Sequence, residues 1–266
     1  MKTAICAIAR NENHYIKEWC DYHLKLGFDN ITIFDNNDVN GERIETEVGD
    51  FGISVKVDHR FRGKHDRMHQ SEAYTAFYKE NHSYDWIAYI DIDEFIHLEQ
   101  HNSIKDFLNE DRFKNIDGIR LCWMCFTDNN LIKVENNNYS ITRFTEPTTV
   151  YSTQAKTIIR GNLKYVTNVG IHTTATIKNV VDALGRPCWN GSDAKHNVNI
   201  GLTKVWECAW INHYRFKTLQ EFIDIKLKNW TQRNIKNRWI SVKYFFDLNK
   251  KTPEKINYLK SRGIRL

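Results

Sequence analysis

The first 126 residues alternate between two periods, and that alternation constrains the fold more than any single motif. Five short apolar runs read as buried strands: TAICAIAR (3–10), NITIFDN (30–36), ISVKVDH (53–59), WIAYIDID (86–93) and GIRLCWMCF (118–126). Between them lie stretches with helical spacing. ENHYIKEWCDYHLKLG (12–27) places apolar residues at 15, 16, 19, 22, 24 and 26 and stops at Gly27. HQSEAYTAFYKENH (69–82) and SIKDFLNE (103–110) are the other predicted helices. A β-α-β-α order predicts an α/β layer with a mainly parallel sheet, because parallel neighbours need a crossover and a helix supplies it.

Such sheets bind ligands at the carboxyl ends of their strands. Arg10-Asn11-Glu12, Asp35-Asn36-Asn37, His59-Arg60 and Asp91-Asp93 all fall at that end of successive predicted strands, so a site is expected along that edge. After residue 126 the pattern loosens. VENNNYSITRF (134–144) reads as a hairpin, residues 154–174 as further β structure, and residues 185–201 as a loop rich in turn formers. CAWINHYRF (208–216) is strand-like and leads into a helix with Thr218 as its cap and Glu221 three residues on.

The segment WIAYIDIDEFIHL (86–98) packs three acids into four positions behind a buried strand. Carboxylates this close repel one another, and burying them is costly unless a cation or a hydrogen-bond donor compensates. Asp91 and Asp93, two apart on a strand, share one face. Together they suit a hard divalent ion, Mg²⁺ or Mn²⁺, that bridges a diphosphate; the plain alternative is a solvated acidic turn. A histidine is a fitting third ligand, and two positions offer one, His213 in INHYRF and His172 in VGIHTT; spacing does not choose between them.

Composition restricts the setting. No stretch approaches the ~20 apolar residues of a spanning helix, and the apolar run at the start is broken at Arg10. A cytoplasmic protein is expected. Six cysteines, at 6, 20, 122, 125, 188 and 208, fit free thiols, and the lone C-x-x-C at 122–125 lacks the second pair of a zinc site. The net charge of +5 is uneven: residues 226–266 carry 12 Lys and Arg against Asp247 and Glu254, which leaves the remainder net acidic. This basic tail also holds Trp230, Trp239, Tyr244, Phe245 and Phe246. Three readings are open: helices packed on the body, peripheral contact with an anionic membrane, or nucleic-acid binding, the last being the least expected.

Three stretches together resemble the GT-A glycosyltransferases of the family 2 and family 92 type: AIARNENHYIKEWCDYHLKLGFDNITIFDNND, DWIAYIDIDEFI and NHYRFKTLQEF. The likeness covers about residues 1–228 in order and omits the tail. It implies a Rossmann-like nucleotide-diphospho-sugar transferase domain over 1–228, with helices on both faces of the sheet, and a helical extension over 229–266. It also implies transfer of a hexose, galactose or glucose, from a UDP-sugar to a saccharide or lipid-linked acceptor, with inversion, in surface polysaccharide or lipooligosaccharide synthesis. Mn²⁺ or Mg²⁺ would sit on Asp91, Asp93 and His213, with Asp93 the direct ligand. Arg10, Asn11, Glu12, Asp35, Asp91, Lys156 and Arg160 would bind the nucleotide sugar. Trp123 and Phe126 would stack on the acceptor, although FTDNN departs from the family's F-G-x-S-G there. The general base is open among Asp193, Asp128 and Glu207. A nucleotidyltransferase would want a glycine-rich loop where this chain reads ARNENHY.

Overall fold

The structure is a computed structural model. It describes residues 1–64, 66, 68–134, 140–148, 154–174, 176–188, 206–228 and 241–264. The chain divides into two compact units, one made of residues 1–124 and 151–212, the other of 125–150 and 213–266.

Strands β1 (Thr3–Ala9), β2 (Asn30–Asp35), β3 (Val55–Asp58) and β4 (Trp86–Tyr89) lie in the order β3-β2-β1-β4, all parallel. Helix α1 (Asn13–Lys25) crosses between β1 and β2, the short α2 (Glu45–Val48) lies between β2 and β3, and α3 (His69–Glu80) crosses from β3 to β4. Gly27 ends α1 as expected: its φ of +104° suits a residue without a Cβ, and its N–H caps the carbonyl of Leu24. The parallel half matches the sequence pattern.

The rest of the sheet, expected to be mainly parallel, is mixed. β5 (Glu94–Leu98) follows β4 directly, α4 (Ile104–Leu108) leads to β6 (Gly118–Cys125), and α5 (Ser140–Arg143) precedes β7 (Ala155–Arg160). β7 runs antiparallel between β4 and β6. β8 (Val180–Asp182) pairs parallel with β6, and β9 (Ala209–His213) lies between β6 and β5. Among its described residues the segment joining β6 to β7 holds one helical turn, α5, too short to return the chain to the starting end. That turn covers Ser140–Arg143, where a hairpin strand was expected. Of residues 154–174, only Ala155–Arg160 form a strand.

Both faces of the parallel strands are buried. Ala4 and Cys6 of β1 pack with Tyr74, Phe77 and Tyr78 of α3 and with Ile87 and Tyr89 of β4. Ile5 and Ala7, which alternate to the other face, are equally buried. This explains why these strands read as continuous apolar runs.

The second unit has its own core. α6 (Leu219–Glu221) continues as a wider turn through Leu227, followed by α7 (Val242–Leu248) and α8 (Pro253–Ser261). Phe216, Leu219 and Phe222 pack with Val242, Phe245 and Leu259, so residues 213–228 group with the helices after 240. Thr218 and Glu221 form the expected capping box, and Glu221 also receives both terminal nitrogens of Arg143 at 2.9 and 3.1 Å.

Candidate active site

The acidic segment does not continue the strand. β4 stops at Tyr89, and Asp91–Glu94 form a tight turn closed by Glu94 N–H donating to the Asp91 carbonyl at 3.1 Å. The two aspartates therefore do not share a strand face. Asp93 is buried, whereas about a third of the Asp91 side chain is exposed. Glu94 folds back and accepts the Asp91 N–H at 3.0 Å.

Each carboxylate of this turn has its own surroundings. Asp91 Oδ2 accepts from Lys156 Nζ at 2.9 Å, and its Oδ1 accepts from Gln70 Nε2 at 2.5 Å and from the Tyr74 hydroxyl at 3.3 Å. Burial works to raise the Asp91 carboxyl, but the Lys156 ammonium outweighs it and holds the group below the usual carboxylate range. Glu94 Oε2 lies 3.7 Å from Lys156, and burial pushes this carboxyl well above its usual range despite that ammonium. Its other oxygen, Oε1, is buried without a hydrogen-bond partner among the described residues.

Asp93 and Glu94 are adjacent and both buried. Ligands about 2.1 Å from a hard octahedral ion stand about 3–4 Å apart, and the Glu94 oxygen that has no hydrogen-bond partner among the described residues suits such an ion. Of the expected ligands Asp91, Asp93 and His213, Asp91 is bonded to Lys156, Gln70 and Tyr74. His213 is the last residue of β9. His172 accepts from Thr157 through its carbonyl and has Nδ1 3.3 Å from the Ala155 carbonyl.

Helix α1 holds the strand behind this turn. Trp19 Nε1 donates to the Glu94 carbonyl at 2.8 Å, and the Tyr22 hydroxyl donates to the Ile96 carbonyl at 2.8 Å. His23 Nδ1 sits 2.8 Å from the Trp19 carbonyl while its Nε2 accepts the Ile96 N–H at 3.3 Å. The second contact needs a bare nitrogen, so these bonds select neutral His23 protonated on Nδ1. The E-W-x-x-Y-H portion of the family-like stretch is thereby explained. Three of its side chains satisfy the backbone of β5.

At the ends of β1 and β2 a second polar network forms. Asn11 has a left-handed φ of 55°, a conformation asparagine tolerates, and donates its N–H to Asn37 Oδ1 at 2.7 Å. Asn37 Nδ2 donates to Asn13 Oδ1 at 2.9 Å, and Arg10 Nη2 lies 3.5 Å from Asp38. Asp35, read as a direct nucleotide contact, is 0% exposed. Its oxygens are taken by the Asn37 N–H at 2.9 Å, by His59 Nδ1 at 3.1 Å and by Arg62. It holds those donors in place.

Further expectations are corrected by geometry. Lys156 is 1% exposed and bonded to the acids of the turn, so it faces carboxylates and not phosphates. Arg160 pairs with Trp86 at the opposite end of β4; four residues along a strand span about 13 Å. There it donates to the carbonyls of Phe113, Lys114 and Ile116 and stacks on the Trp86 ring. Trp123 is buried edge-on to His172 in the first unit, and Phe126 is buried on Tyr214 in the second, so neither presents a face to an acceptor. Asp128 is 2% exposed, 2.5 Å from Lys255 Nζ, and accepts the Asn130 N–H. It borders a cavity of about 210 Å³ with Glu146, Asp247 and Lys250; burial raises its carboxyl, and the paired Lys255 ammonium opposes that. Glu207 is exposed, and Asp193 lies outside the described residues, as do Trp230 and Trp239.

A glycosyltransferase family 92 protein of Oryza sativa subsp. japonica is 27% identical over 104 residues, and one of Ricinus communis is 28% identical over 107 residues. The chain resembles family 92 glycosyltransferases. The recognition made from the three stretches holds at that level. The matches cover 39% and 38% of this chain and 18% of each relative, so the chain spans less than a fifth of the curated relatives it matches. No protein-family model matches the chain. Among solved structures, S. aureus TarS 1-349 in complex with UDP-GlcNAc aligns over 68% of this chain and 56% of its own, at 14% identity and a TM-score of 0.44. A 4-diphosphocytidyl-2C-methyl-D-erythritol synthase aligns over 77% of this chain and 97% of its own, at 11% identity and a TM-score of 0.40. A mannosyltransferase from Pyrobaculum calidifontis in complex with GDP-Man and Mn²⁺ aligns over 45% and 35%, at 8% identity and 0.34.

Proposed function

We propose that this chain is a metal-dependent glycosyltransferase that moves a hexose from a UDP-linked donor to a saccharide hydroxyl, with inversion. The observation that carries the reading is the pair of buried carboxylates, Asp93 and Glu94, in the turn beyond the carboxyl-terminal end of β4, in a chain similar to family 92 glycosyltransferases; His213, or alternatively His172, is retained as the histidine ligand. A divalent ion held there would neutralise the charge that develops on the leaving diphosphate. Arg10, Asn11 and Glu12 stand at the end of β1 and Asp35 at the end of β2, with Asp35 orienting His59 and Arg62 toward the nucleotide. The candidate bases remain Asp193, Asp128 and Glu207, with Asp128 the least suited because its carboxylate is paired with Lys255.

Among the described residues no helix is long and apolar enough to cross a membrane. Lys243, Lys250, Lys251, Lys260 and Arg262 are exposed on the second unit. They support peripheral contact with an anionic leaflet, where each such charge near the surface contributes about 1 kcal/mol. A lipid-linked acceptor in a surface-glycan pathway would be met there.

The test is calorimetric titration of UDP with Mn²⁺, with EDTA, and with Asp93→Ala. Binding that needs the ion and falls at least about 100-fold in the variant supports the reading, since even outer-shell partners are worth 10–100-fold. Failure of every nucleoside diphosphate to bind under any metal condition refutes it.

A further inference from the structure

Lys156 is a lysine whose ammonium is withheld from water. The register of β7 on β4, Ala88 against Ile158, carries Lys156 to the level of Ile90, directly before the acidic turn. Its side chain is 1% exposed and lies between two carboxylates, 2.9 Å from Asp91 and 3.7 Å from Glu94. A buried ammonium persists only where paired, and three acids in one turn persist only where something positive offsets them. Each solves the other's problem.

We propose that Lys156 is the resident counter-cation of this turn. It satisfies Asp91 and holds the affinity of Asp93 and Glu94 for a free divalent ion low, so that the ion binds tightly only together with a nucleoside diphosphate. This rests on reading the turn as a metal site. The ammonium and an incoming ion share Glu94: Oε2 faces Lys156, while Oε1 is buried and has no hydrogen-bond partner among the described residues. A fixed positive charge a few ångströms from a second cation opposes it strongly in a low-dielectric setting. Diphosphate oxygens add negative charge and complete the coordination shell. Metal and nucleotide then raise each other's affinity by the same factor, as linkage requires. Lys156 is a positioning residue on this account, for it touches neither substrate nor ion.

The test is Mn²⁺ titration, followed by electron paramagnetic resonance and without nucleotide, of wild type, Lys156→Met and Lys156→Arg. Lys156→Met is expected to bind Mn²⁺ at least about tenfold more tightly than wild type, and Lys156→Arg to stay within about threefold of it. The wild type, which needs no substitution to fold, is expected to bind Mn²⁺ alone with a Kd of about 10⁻⁴–10⁻³ M and at least tenfold more tightly with saturating UDP. Equal or weaker Mn²⁺ binding by Lys156→Met overturns the proposal, as does Lys156→Arg behaving like Lys156→Met. Tight Mn²⁺ binding by the nucleotide-free wild type also overturns it. Absence of UDP binding refutes the donor site instead, and the ratio of Mn²⁺ affinities between variant and wild type still decides the role of Lys156.

Discussion

Acid should release the strand that carries Glu94, because His23 can hold that strand only while neutral. His23 is fully buried, accepts the Ile96 N–H through Nε2, and is lowered by burial from 6.5 to about 3, against the opposing pull of the Trp19 carbonyl. In the unfolded chain the imidazole takes up a proton near pH 6.5; in the folded chain it does not until about pH 3. Between these values the unfolded state binds more protons, so stability is complete above pH 6.5 and falls as pH is lowered through the window. The slope is about 1.4 kcal/mol per pH unit, and at pH 5 the accumulated loss is about 2 kcal/mol. Glutamine at this position can both donate to the Trp19 carbonyl and accept from Ile96, and it carries no proton equilibrium. Urea denaturation at pH 7.5 and pH 5 should therefore show wild type losing about 2 kcal/mol more than His23→Gln across that interval. Ordinary carboxylates titrate below pH 5 and affect both proteins alike. An equal acid dependence in the two proteins would refute the assignment.

Other outcomes follow from the corrected roles. Asp128→Asn should cost about 3 kcal/mol or more by leaving Lys255 buried without its anion, while Asp128→Leu combined with Lys255→Met should recover most of that; a stable Asp128→Asn protein that binds donor but fails to transfer sugar would identify Asp128 as the base. Arg160→Met should lower stability by about 1–3 kcal/mol through three lost carbonyl contacts and the Trp86 stack, with nucleotide affinity unchanged by calorimetry. A drop in nucleotide affinity at preserved stability would show that Arg160 reaches the donor after all.

What could be read from the sequence was what local periodicity encodes. Strands buried on both faces leave apolar runs, crossover helices leave 3.6-residue spacing, and the acidic turn stands out because three carboxylates behind such a run need an explanation. The division of labour inside that turn was hidden. Treating Asp91 and Asp93 as strand neighbours put them on one face, whereas the chain turns after Tyr89 and separates them. The partner that decides the matter, Lys156, lies 65 residues downstream of Asp91 on a strand whose antiparallel direction no crossover pattern announced. The same strand direction parts the two residues read together as donor contacts: it sends Lys156 to the acidic turn and Arg160 to the far edge.

The residues that support the site were visible only as a pattern without a cause. E-W-x-x-Y-H could be matched to the family, yet nothing in its composition says that Trp19, Tyr22 and His23 bond an edge strand more than 70 residues away. β5 stands at the end of the sheet order, where a strand has backbone groups to spare on one side. Side chains from α1 take up three of those groups, and so fix the register of Glu94, which begins the strand. On the proposed function that indirect hold matters: a carboxylate offered to an ion must stand still, and Glu94 is held from behind by a helix and from the side by a buried ammonium.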